Sequence, residues 1–171
     1  YILFVLTERC APEPILPLGL FRNQIFTVAA ILSLLQLMVL VGLVIYLPLY
    51  LQGVLGISAS SSGVVITPMT LASVVGSVVA GVVMARSKRY RVVAITGAVV
   101  LTLGVALLTR LTTTTSLGAV TIIMVIGGLG LGVFFGLLAL AAQNALPRAQ
   151  LGVGTAAVRY MGQVGGVLGV A

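Results

Sequence analysis

Long apolar runs dominate the chain, and short stretches carrying the polar and charged residues separate them. Four runs are complete and lack acids and bases, and they predict helices at about 25–47, 63–85, 92–109 and 117–142. A fifth run begins near residue 155 and is truncated at Ala171, and residues 1–7 are expected to end a preceding transmembrane helix. A helix of about 20 apolar residues crosses the roughly 30 Å of bilayer hydrocarbon.

The continuity of these runs favours helices, because the strands of a membrane barrel alternate in hydrophobicity over about 10 residues. The predicted fold class is an all-α membrane protein, a polytopic transmembrane helix bundle. Pro48 follows the first run, hydroxyls at 60–62 offer N-caps to the second, and residues 112–116 form a polar turn before the fourth.

Composition excludes several classes of protein. The 171 residues are 60% hydrophobic and 6% charged, whereas a soluble domain needs a polar surface and a disordered chain needs a high density of charge. The chain has no His and one Cys, so we expect no metal site, no His-based catalytic pair and no internal disulfide. We therefore predict a protein that is not an enzyme and needs no cofactor.

Basic residues are distributed unevenly between the predicted connections. Eight of the nine lie on alternate connections, which the positive-inside rule makes cytoplasmic, and Arg110 is the exception. The eight are Arg9, Arg22, Arg86, Lys88, Arg89, Arg91, Arg148 and Arg159. Residues 8–24 are thus predicted to be a cytoplasmic linker. The net charge of +7 is explained by topology and contact with anionic lipid, and no nucleic-acid partner is expected.

Small residues recur at a spacing of four in two of the predicted helices. Such rows let helix backbones approach closely, which supplies packing energy in lipid. They are compatible with a static contact or with a surface that slides during a conformational change. The rows are Ala72, Gly76 and Ala80; Ser73, Ser77 and Gly81; and Gly128, Gly132 and Gly136.

Polar residues at membrane depth are the candidate sites. Gln36 lies at the midpoint of its run, where its amide either lines a water-filled cavity or forms an interhelical hydrogen bond. Thr67 and Thr70 bracket Pro68, whose missing N–H favours a kink, and they are further cavity candidates. Arg159 is interpreted as snorkelling to the cytoplasmic interface, with a substrate counter-ion as the alternative.

Several stretches resemble the major facilitator superfamily, specifically its fourteen-helix drug:proton antiporters. The resemblance begins in the linker at Pro14–Phe26 and continues through Leu47–Ser58, Ser62-Gly63 and Pro68 to the Arg-plus-glycine run Arg159–Gly169. The signature cytoplasmic loop of the superfamily is only partly kept. Gly81, Arg86 and the later Arg89 match, but Ala85 stands for the acid and Lys88 for a glycine, as in degraded second-half copies.

This resemblance implies a fragment from which the N-terminal transporter half is missing. Residues 25–171 would be an incomplete C-terminal domain, in a multi-pass protein of the plasma membrane, the inner membrane in bacteria. The implied function is proton-coupled export of amphipathic drugs by alternating access. No complete run contains Asp, Glu or His, so protons would pass through residues outside the chain. A metabolite or nutrient exporter of the same fold and a non-transporting membrane scaffold are the alternatives.

Overall fold

The computed structural model describes residues 20–21, 23–54, 56–87, 89–112, 115–145 and 151–171, with the side chains of 59–62, 139 and 142–145 excepted. Linker residues 8–19 and the predicted helix end at 1–7 lie outside this part of the chain. Five helices are described: α1 (Gln24–Gly53), α2 (Ala59–Ser87), α3 (Tyr90–Leu108), α4 (Leu117–Ala145) and α5 (Leu151–Leu168). The all-α fold class is therefore confirmed.

Helix α1 starts at a side-chain cap and passes the proline that was expected to end it. The Asn23 Oδ1 accepts a hydrogen bond of 3.0 Å from the backbone N–H of Ile25. Pro48 lies inside α1, which continues to Gly53. The expectation that Pro48 ends this helix is wrong, because buried Leu47 and Leu51 hold both sides of the proline in the same apolar cluster. The predicted caps at 60–62 fall on side chains outside the described part.

Within the described part of the chain, four helical segments are long and apolar enough to cross a membrane: Gln24–Gly53, Gly63–Ser87, Tyr90–Leu108 and Leu117–Leu138. They correspond to the four complete runs predicted from the sequence. Helix α5 overlaps the predicted fifth span but begins earlier, at Leu151. It is less apolar because Thr155, Arg159 and Gln163 are part of it.

Packing divides the helices into two groups. Helix α4 packs extensively against α2 and also against α3, while α1 packs mainly against α5. Contacts between α1 and α4 join the groups. Helices α2 and α4 run parallel, since Gly128 lies against Met69 and Gly136 against Ser77, and α1 and α5 are parallel in the same way.

Buried apolar side chains form clusters near both ends of the bundle. One cluster joins the end of α1 to the starts of α2 and α4 through Leu51, Met69 and Met124. Another joins α2, α3 and α4 through Met84 and Phe134. Many large apolar side chains are exposed on the outer faces, as expected where lipid rather than water is the solvent. Buried polar side chains in these apolar surroundings are therefore the candidates for a functional site.

Candidate functional site

A cavity of about 680 Å³ lies where α1, α4 and α5 meet. One part of its wall is polar and the rest is mainly apolar. The polar side chains are Ser33, Gln36, Thr155, Arg159 and Gln163. The larger apolar side chains are Leu37, Phe135, Leu138 and Val158. The cavity can therefore hold a molecule with both polar and apolar parts.

Gln36 both lines this cavity and joins two helices. Its side chain is only 3% exposed, and its Nε2 donates a hydrogen bond of 3.2 Å to the Leu131 carbonyl in α4. A buried amide must be satisfied in this way, since an unpaired one costs several kcal/mol in hydrocarbon. The two interpretations of Gln36 are thus compatible: an interhelical hydrogen bond exists, and the same side chain faces the cavity.

Ser33 has a comparable position, one helical turn before Gln36. It is 4% exposed, and its Oγ donates a hydrogen bond of 2.9 Å to the Val158 carbonyl in α5. A Cβ added at Gly162 would lie 2.7 Å from that Oγ, so the glycine makes room for the hydroxyl. Sequence reasoning did not identify Ser33. The available signal was its separation of three residues from Gln36, which places both on one helix face.

Helix α5 contributes a polar row at a spacing of four, formed by Thr155, Arg159 and Gln163. The Thr155 Oγ1 donates to the Leu151 carbonyl at 2.8 Å, so this hydroxyl is already bonded within its own helix. Arg159 is exposed and lines the cavity. The described residues include no acid, because Glu8 and Glu13 both lie outside them.

Thr67 and Thr70 are not part of the cavity that Gln36 lines. Both are exposed side chains of α2 and bond within that helix, Thr67 Oγ1 to the Gly63 carbonyl at 3.2 Å and Thr70 Oγ1 to the Thr67 carbonyl at 2.8 Å. Pro68 lies between them inside α2. The structure therefore does not bring the three polar candidates together around one cavity.

The small-residue rows of α2 and α4 face each other. A Cβ added at Gly132 would meet the backbone of Ser73, one at Gly128 that of Met69, and one at Gly76 that of Leu129. At Gly136 the added Cβ would lie 2.7 Å from the Ser77 carbonyl oxygen. In each case backbone, rather than a movable side-chain tip, occupies the space.

Gly81 differs from this expectation. An added Cβ there has nothing within 4 Å among the described residues. The contact with α4 runs through Ser77 and Ala80, and both lie within 4 Å of a Cβ added at Gly136. Gly81 is the next residue and points away from that contact, so it takes no part in the close packing.

Glycines also mediate two other helix contacts. Between α3 and α4, a Cβ at Gly104 would lie 2.7 Å from the Gly127 Cα. Between α1 and α5, a Cβ at Gly165 would meet the Leu34 backbone, and one at Gly169, directly after α5, would meet that of Met38. The role of α5 glycines in packing was not predicted, because their partners in α1 are mainly large residues rather than a matching small row.

The basic loop between α2 and α3 is described only in part. Arg86, Arg89 and Arg91 are exposed, whereas Lys88 lies outside the described residues. Near the C-terminal end of α1, two tyrosines donate hydrogen bonds to backbone carbonyls outside the helices. The Tyr46 Oη donates to the Val170 carbonyl after α5 at 3.0 Å, and the Tyr50 Oη donates to the Thr112 carbonyl between α3 and α4 at 3.1 Å.

Comparison with known proteins decides the family. Residues 6–170 match the profile described as Major Facilitator Superfamily. The chain belongs to this superfamily. Its members are membrane transporters and not enzymes, so the resemblance noted in the sequence is confirmed, as is the prediction that the protein is not an enzyme.

Curated relatives of this superfamily member include proteins named for drug resistance. The chain is 34% identical over 167 residues to the Multidrug transporter protein MdtP of Bacillus subtilis, covering 98% of this chain and 31% of the relative. It is 32% identical over 170 residues to Multidrug resistance protein 3 of the same species, covering 99% and 33%.

A third relative is the Tetracycline resistance determinant of Streptomyces rimosus. The identity is 34% over 165 residues, which cover 95% of this chain and 47% of the relative. The chain therefore spans about a third to a half of the length of these relatives.

Proposed function

We propose that this chain is part of a proton-coupled exporter of amphipathic compounds in a bacterial plasma membrane. In this proposal residues 25–171 form the first five helices of a C-terminal transporter domain. Residues 8–24 are the cytoplasmic linker, and residues 1–7 end the helix before it. The substrate is a small molecule, and its export depends on a second transporter half that faces this one across the membrane midplane.

The mixed cavity between α1, α4 and α5 is the observation that carries this proposal. Its volume of about 680 Å³ lies within the range of ordinary small-molecule sites, and its polar and apolar walls suit an amphipathic ligand. The relatives named for multidrug transport and resistance also support an exporter of such compounds. Gln36 and Ser33 are assigned to the cavity wall, and Thr67 and Thr70 to an α2 surface that would face the other half.

Proton coupling in this scheme uses residues outside the described part of the chain. The membrane helices described here contain no carboxylate or imidazole, the groups that usually relay protons in transporters. The helix contacts lined by Gly76, Gly128, Gly132 and Gly136 are assigned to packing that keeps α2 and α4 together as the two transporter halves rock.

Export is tested with the full-length protein that contains this chain, produced in a bacterial strain lacking its own drug exporters. Cells are loaded with lipophilic fluorescent dyes, and efflux is followed with and without a protonophore. We expect efflux that stops when the proton gradient collapses, together with raised resistance to several unrelated drugs. Export of a cellular metabolite without drug resistance would indicate a metabolite exporter instead. Absence of flux for every compound, at normal membrane levels, would favour a scaffold and refute the proposal.

A further inference from the structure

The charge of the cavity between α1, α4 and α5 narrows the class of compound that it accepts. Arg159 lies in the ninth position of α5, and its neighbours at a spacing of four, Thr155 and Gln163, line the same cavity. Arg159 lies at the level of Ser33 in the neighbouring helix α1, because the Ser33 hydroxyl bonds to the carbonyl of Val158, the residue before Arg159. Arg159 is exposed at this cavity, and an ionisable side chain that faces a cavity of a membrane helix bundle is a candidate binding group.

Among the described residues Arg159 has no anionic partner. Both acids of the chain, Glu8 and Glu13, lie outside the described ranges. The Ser33 hydroxyl and one N–H of the Gln36 amide already donate to backbone carbonyls. The cavity therefore presents one positive charge, and no carboxylate of the described chain compensates it.

A guanidinium in such a place favours a carboxylate. Its planar arrangement of donors matches the two oxygens of a carboxylate, and charge-assisted hydrogen bonds are stronger than those between neutral groups. The remaining wall contains Leu37, Phe135 and Leu138, which would contact an apolar body. Both requirements are met by one molecule, an organic anion with a bulky apolar part.

We propose that this cavity binds amphipathic compounds through an anionic carboxylate group, with Arg159 as its counter-charge. The proposal rests on the proposed export function and specifies its substrate class. Gln163 contributes an amide beside the guanidinium, and the apolar residues of α1 and α4 set the size of the hydrocarbon part.

The test uses three probes with the same fluorescent body and different head groups: pyrenebutyrate, pyrenebutanol and pyrenebutylamine. Their dissociation constants are measured for the purified full-length protein in nanodiscs of zwitterionic lipid. We expect pyrenebutyrate to bind at least about tenfold more tightly than the alcohol, which corresponds to about 1.4 kcal/mol. The amine is expected to bind least tightly.

The variant Arg159→Gln should remove this preference while leaving alcohol binding within about twofold. Arg159→Lys keeps the charge but not the planar geometry, so it should retain part of the preference. The matched control is Arg110→Gln, an exposed base in the turn that follows α3, which should change nothing. Thermal unfolding of each variant shows whether it is folded. If Arg159→Gln does not fold, the two single variants Arg159→Lys and Gln163→Leu provide the test.

Three results would overturn the inference: equal affinity for the anion and the alcohol, an anion preference that survives in Arg159→Gln, or displacement of pyrenebutyrate by phosphatidylglycerol in the nanodisc. The last would assign the charge to a lipid headgroup. Because ligand binding is measured without transport, failure of the export proposal can be distinguished from failure of the anion-binding proposal. Dye export without anion preference would leave the export proposal intact, and anion binding without any export would leave only the binding site.

Discussion

Replacement of Gly132 tests the close contact between α2 and α4. A Cβ at this position would lie 2.7 Å from the carbonyl carbon of Ser73 and 2.8 Å from its Cα, whereas ordinary contacts begin near 3.4 Å. The two backbones must therefore separate by at least about 0.7 Å to admit a methyl group. Backbone cannot rotate away as a flexible side chain can, so the strain spreads along both helices.

The expected loss of stability is obtained by comparing Gly132→Ala with Gly81→Ala. Either substitution gains up to about 1 kcal/mol of helix propensity, but only the Cβ at position 132 meets backbone. Overpacking of this kind costs about 1–3 kcal/mol, so Gly132→Ala should be less stable than Gly81→Ala by about that amount. Gly132→Leu should be worse, because a whole side chain must enter the contact and burial recovers little in lipid.

The assay is the folded yield of the full-length protein, measured by size-exclusion chromatography of a fluorescent fusion, with thermal unfolding in one detergent. Gly132→Leu should show reduced folded yield or, where it folds, blocked export, while Gly81→Leu should resemble the parent. Equal stability and export for Gly132→Leu and the parent would show that the described contact is wrong. Destabilisation of the same size by Gly81→Leu would show that the loss at position 132 does not come from the contact between α2 and α4.

Three further expectations concern the binding site, the topology and the completeness of the machinery. Gln36→Leu should change the relative export of two chemically different compounds at unchanged protein level, because its bond to Leu131 is worth only about 0.6 kcal/mol; equal losses together with reduced yield would make Gln36 structural. A cysteine at Lys88 should be labelled only from the cytoplasm and one at Ser60 only from outside, and labelling of both from one side would contradict the charge distribution. The isolated 171-residue chain in liposomes should show no proton-driven flux, so measurable pH-driven uptake would contradict the requirement for a second half.

Hydropathy alone located most of the helices, because a segment that crosses hydrocarbon must be long and continuously apolar. Pro48 shows where local rules stop: a proline removes one hydrogen bond, but the buried leucines beside it keep the helix continuous. Rows of small residues indicated that close contacts exist. They did not reveal that a Cβ at Gly132 would meet Ser73 while one at Gly81 would meet none of the described residues, since a row has the same spacing whichever helix it faces.

The site was harder to predict than the helices for a related reason. Gln36 was conspicuous because an amide in the middle of an apolar run needs a partner, but its partner is a backbone carbonyl, and every residue has one. Ser33 gave a weaker signal, because a serine can bond within its own helix, as the threonines of α2 do. The cavity depends on three helices meeting, which no single run of sequence contains.

The position of the cavity follows from how these helices are held together. Glycines bring α2 against α4 and α5 against α1, with backbone facing backbone. The junction between the two groups is different, because α1 and α4 meet there through side chains, and α4 and α5 have few contacts. Gln36 bonds across this junction to Leu131 and, with Ser33, faces the remaining space. Ser33, Gln36 and Thr155 are tolerated there because each donates to a backbone carbonyl. Arg159, which has no anionic partner among the described residues, supplies the charge that a bound molecule would meet.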